Sequence, residues 1–128
     1  MSSSSKLRIR SVEDVTTVRF QESSILDTEL IHGIAQELDQ LVESQKIKKL
    51  LLDFTEVTFF SSSALGILVA LSKKMAAING ELVICALAAE LVKVFKITNL
   101  DKLFKFADDE DQALHMLGVT SVAGSAKE

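Results

Sequence analysis

Apolar and polar positions alternate along the chain with two different periods, one strand-like and one helical. Leu7, Ile9 and Val12 have strand-like spacing. In the β-branched run 15–20, Val18 and Phe20 alternate with Thr17 and Arg19, and Glu13-Asp14 between the two runs reads as a tight hairpin turn. From 28 to 43 the period changes. Leu30, Ile34, Leu38 and Leu41 share a stripe with Ile31, Ala35 and Val42, while Glu29, His32, Gln36, Asp39 and Gln40 lie mostly opposite. This is an amphipathic helix, with Asp27 placed to cap it. The continuous apolar run 50–54 fits a central strand buried on both faces. A second helix is expected to begin near Ser61 or Ser62 and to stop at Asn79-Gly80. Then follow a buried-type strand at 81–85, a helix at 89–97 ending near Asn99, a short strand at 103–106, and a last short helix at 109–117 with an acidic first turn. The predicted order is β-β-α-β-α-β-α-β-α. It implies an α/β fold with a mixed sheet of about five strands and about four helices, parallel-rich but opening on an antiparallel hairpin.

Composition narrows the classes. A length of 128 residues suits a single domain, set here at 6–118 with flexible ends at 1–5 and 119–128. Hydrophobic residues at 48% supply a core. A net charge of −4 on an unpatterned surface argues against nucleic acid or an anionic membrane as partner. The single cysteine, Cys85, excludes an internal disulfide and fits a cytoplasmic setting. The longest apolar stretches, 64–71 and 82–89, fall short of the ~18–20 residues that span a bilayer. No apolar signal region follows the Ser-rich start.

Candidate chemistry concentrates where the central strand runs through a loop into Ser61-Ser62-Ser63 and then a helix. Hydroxyls there can simply accept hydrogen bonds from the free N–H groups of the first turn. The same N–H groups and the positive dipole end also favour an anion, such as a phosphate carried by one of the serines. On a helical wheel Ser62, Gly66, Ala70, Lys73 and Ala77 crowd one side, and Leu65, Ile67, Leu68, Leu71, Met75 and Ile78 the other. Small residues allow a second backbone to approach closely. That backbone could belong to the same domain, to a partner, or to a second copy in a homodimer. Other chemistry is absent. His32 and His115 lack ligand spacing and read as surface residues, so no metal site is expected. Cys85 reads as core, and the acidic run 108–111 as a helix cap, since it lacks the spacing of a calcium loop. No nucleotide or cofactor motif and no nucleophile–base pairing is present, so neither a cofactor nor catalysis is expected.

The segment Leu52-Asp53-Phe54-Thr55-Glu56-Val57-Thr58-Phe59-Phe60-Ser61-Ser62-Ser63-Ala64-Leu65-Gly66-Ile67-Leu68 resembles the signature of STAS domains, specifically the bacterial anti-sigma factor antagonists. Their motif is an aliphatic strand ending in Asp, a hydrophobic pair, and Asp-Ser-Ser-Gly-Leu-Gly opening a helix. Leu26-Asp27, the strand after Asn79-Gly80, Thr98-Asn99-Leu100 and Ala113-Leu114 are similar to further family elements, so the resemblance spans about 7–117. It implies a regulatory binding module. Such a module captures an anti-sigma factor that is also a serine kinase, and is switched off by phosphorylation of the first motif Ser, here Ser62. Ser63 corresponds to the second motif Ser, and Asp27 to an acid near the docking region. Ser61 stands where the family has Asp, and Ala64 where it has Gly. These departures leave an alternative of another class: an unphosphorylated STAS scaffold, or an accessory subunit of a stress-signalling assembly or a transport ATPase. A small hydrolase acting through Ser62 lacks a base.

Overall fold

The computed structural model describes residues 7–44 and 47–119. Strands β1 (Leu7–Val12) and β2 (Val15–Phe20) form the expected antiparallel hairpin, with Glu13 at φ 54° in its turn. β3 (Ser24–Ile25) leads into α1 (Thr28–Ser44), and β4 (Lys49–Asp53) follows. β5 (Phe59–Phe60), α2 (Ser62–Ala77), β6 (Glu81–Cys85) and α3 (Ala89–Ile97) come next. A 3-10 turn (Leu100–Lys102), β7 (Lys105–Ala107) and α4 (Glu110–Met116) complete the order.

The main sheet runs β1-β2-β4-β6-β7, antiparallel only at β1–β2. Each parallel connection steps to the neighbouring strand in the same direction. Right-handed crossovers therefore put α1, α2 and α3 on one face. Under them lies the larger core, in which Val18, Leu50, Leu52 and Ile84 of the strands meet Leu38, Leu68, Met75 and Phe95 of the helices. The opposite face carries the smaller core of Val15, Leu51, Val83 and Cys85, closed by Ala113 and Leu114 of α4 and by Leu117 just after it. β4 and β6 are thus covered on both sides over most of their length, as continuous apolar runs require.

α2 ends where Asn79 turns left-handed at φ 59°. Gly80 then passes so close to its neighbours that a Cβ would lie 2.7 Å from Met75 Cε and 2.9 Å from the Lys48 carbonyl. Three details differ from the sequence expectation. The last strand lies at Lys105–Ala107 rather than 103–106, because Asn99 at φ 63° starts the 3-10 turn and uses up the intervening residues. β3 and β5, not anticipated, form a separate two-stranded parallel sheet. Val119, assigned to a flexible tail, is buried against α4, and its N–H bonds the Leu114 carbonyl at 2.9 Å. The flexible ends expected at 1–5 and 120–128 lie outside the described residues.

Candidate functional site

The loop between β4 and α2 is pinned at both ends. Asp53 is buried at the end of β4, and its Oδ1 accepts from the N–H and hydroxyl of Thr55. The Phe54 N–H bonds the Cys85 carbonyl at 3.0 Å, and Val57 turns back onto the Phe54 carbonyl. Phe54 and Phe20 are fully buried, and Phe60 packs on both, its ring centroid 5.2 Å from Phe54 and 6.3 Å from Phe20. The ladder of β3 and β5 then ties this loop to the entry of α1. Ser24 pairs with Phe59 and Ile25 with Phe60, and the Ser61 N–H reaches the Ile25 carbonyl at 3.1 Å. The starts of α1 and α2 thereby come together, with Thr28, Ser61 and Ser63 lining one groove.

Each helix has its own cap. Asp27 Oδ2 accepts the Leu30 N–H at 3.1 Å, and Ser61 Oγ accepts the Ala64 N–H at 3.1 Å. The Ser61 hydroxyl is therefore committed to the helix end, as the Asp it replaces would be. Ser62 and Ser63, the first two residues of α2, are exposed, and neither hydroxyl has a hydrogen-bond partner among the described residues. Ala64 is buried, so its methyl group faces the core and not a partner.

From Ser62 the surface continues along α2. Gly66, Ala70 and Lys73 are all exposed, and a Cβ built on Gly66 would meet nothing within 4 Å. No element among the described residues covers this side. Ser63 points to a different surface. It shares a groove of about 410 Å³ with Ser61, His32, Gln36 and Ile67, running between α1 and α2. Leu26 at the rim is 56% exposed and Phe59 61%. Sequence reading missed both, since an apolar residue beside a strand is normally assigned to the core; the signal is their place on short segments flanked by polar residues. Lys74, next to Lys73, instead bridges Asp39 (3.5 Å) and Glu43 of α1 at the surface, and bonding to Glu43 raises its pKa.

The remaining candidates have structural roles. Cys85 is buried, and desolvation, reinforced by the Asp53 charge, pushes its thiol pKa up to about 12, so it is no nucleophile at neutral pH. Asp109 caps α4 through the Gln112 N–H at 2.8 Å. His115 is exposed, and His32 lies exposed in the groove. Among the described residues no cluster of potential ligands could hold a metal, and no helix is long and apolar enough to cross a membrane.

A family model described as STAS domain matches residues 6–113. Among solved structures, the chain is similar to an anti-sigma factor antagonist protein from Thermotoga maritima, with a TM-score of 0.79 and 21% identity over 91% of this chain and 97% of that one. It is also similar to the Bacillus cell fate determinant SpoIIAA in its phosphorylated form, with a TM-score of 0.68 and 16% identity over 87% and 98%. A chain of the stressosome, a signal integration and transduction hub, gives a TM-score of 0.66 and 15% identity over 94% and 100%.

Proposed function

This chain belongs to the STAS domain family, and from that premise we propose that it is an anti-sigma factor antagonist whose capture of its partner is switched by phosphorylation of Ser62. It acts as a binding module without turnover of its own, in the cytoplasm, and its partner is an anti-sigma factor of the serine kinase type. The observation that carries this reading is the state of the Ser62 hydroxyl: exposed, without a partner among the described residues, at the start of α2 and bordering the uncovered side of Gly66 and Ala70.

The chemistry is simple. The kinase transfers the γ-phosphoryl group of ATP to Ser62 Oγ, ADP leaves, and the hydroxyl proton passes to the kinase's base. The product carries about −1.5 to −2 charges at the positive end of α2. Within a close interface that charge must be desolvated or repelled. A penalty of about 3 kcal/mol would weaken binding more than a hundredfold, with no change of fold.

A second reading has one specific observation in its favour. Ser61 in place of the motif Asp removes an acid beside the acceptor, which suits an unphosphorylated scaffold. One experiment separates the two. The full chain is mixed with a candidate anti-sigma kinase and ATP, and intact mass is measured. The switch predicts the gain of one phosphate, lost in Ser62→Ala, and weaker capture by Ser62→Asp. No mass gain, or undiminished capture by Ser62→Asp, overturns it in favour of the scaffold.

A further inference from the structure

The chain contains three arginines, Arg8, Arg10 and Arg19. All three lie on one face of the β1–β2 hairpin, the face turned away from α1, α2 and α3. The register sets Arg8 opposite Arg19 and Arg10 opposite Thr17, with Arg19 beside Asp53 on β4. α4 closes the smaller core over the far half of this face and leaves the arginine half open.

The basic side chains elsewhere are lysines, which serve as point charges; the guanidinium is the planar fork that fits phosphate or carboxylate with two parallel bonds. Like charges directly opposite on neighbouring strands are destabilising, yet Arg8 and Arg19 are so placed. Arg10 is held by Glu110 and Arg19 by Glu56 at 3.3 Å, while Arg8 forms no ion pair among the described residues. Two cavities, about 250 and 400 Å³, both include Arg8 and Arg19 in their walls and so flank this pair. Asp53 on the floor does not compete strongly for it. One oxygen is taken by Thr55, and the other stands 4.0 Å from Arg19 Nε.

We propose that this face binds a small molecule bearing a phosphate or diphosphate group, clamped between Arg8 and Arg19, with Arg10 joining when Glu110 releases it. The site lies on the opposite side of the sheet from Ser62 and does not depend on the switch there. Glu56 and Glu110 occupy part of the donor set, so an arriving phosphate exchanges with them.

The arginines supply their own reporters, because each of the three side-chain Nε–H signals in a ¹H–¹⁵N spectrum comes from this site. Inorganic pyrophosphate is titrated into the full chain at constant ionic strength, with sodium chloride as the control. The proposal expects saturable shifts of the Arg8 and Arg19 signals. Arg8→Gln is expected to weaken binding tenfold or more, and Arg8→Lys nearly as much, since it keeps the charge and loses the fork. Glu110→Gln is expected to tighten binding, and Ser62→Ala to leave it unchanged. Linear, unsaturating shifts that chloride reproduces mean surface screening only and overturn the proposal. So does undiminished affinity in an Arg8→Gln variant whose backbone spectrum shows it folded.

Discussion

At the scale of single residues, the three adjacent serines have separate duties. Ser61 holds the helix end, so Ser61→Ala is expected to cost about 1 kcal/mol, read as a lower urea midpoint at unchanged slope. Ser61→Asp should keep that stability, since a carboxylate caps as well. Ser62→Ala should be nearly silent in the same assay, because its hydroxyl bonds nothing among the described residues. Cys85 gives a pH signature. An unfolded thiol ionises near 9, whereas in the folded chain the value is about 12. Below pH 9 both states hold the proton and the thiol contributes no pH dependence. Between 9 and 12 the unfolded state sheds it first, and stability falls as pH rises. Cys85→Ala should lack that component, so the wild-type and variant stability curves should converge or cross as pH climbs through this window. Equal slopes for the two proteins would refute the assignment.

At the scale of elements, a two-residue ladder and an aromatic triad fasten the loop of the site. Phe54 stands at the centre of that triad with no exposed surface. Phe54→Ala should cost about 3–5 kcal/mol and speed hydrogen exchange at the Ser61 amide, whose bond to Ile25 depends on the same ladder. Loss of stability with unchanged protection at Ser61 would show that the loop is held by other means. The helices were legible in the sequence because their apolar stripes run for several turns and their caps are ordinary ones: Asp27, Ser61 and Asp109. The β3–β5 ladder was not, because a two-residue strand has no period to read and this one is held by backbone bonds to Ser23 and Ile25.

At the scale of the whole molecule, three crossovers of one hand place three helices on a single face, which leaves half of the other face to α4 and half to the arginines. That division could not be read along the chain. Arg8, Arg10 and Arg19 look scattered until the hairpin register aligns them, and nothing in the local pattern marks Leu26 and Phe59 as exposed. The candidate serines were legible because a strand, a loop and a hydroxyl-rich helix start form a local pattern. Since the proposed switch adds charge without moving an element, Ser62→Asp should leave amide signals unshifted beyond the first turns of α1 and α2. Widespread shifts across the sheet would point instead to a conformational mechanism.

Gly66 carries the sharpest consequence of this arrangement. With open space where its side chain would be, the monomer itself gives no reason for a glycine there. Gly66→Ala should make the isolated protein sturdier by about 1 kcal/mol, and Gly66→Leu should fold as readily as the parent. If the smallness of this position answers to a visitor, the leucine variant will pass every test of folding and fail to capture its partner. Tolerance inside the molecule and intolerance outside it would then be separated at one codon.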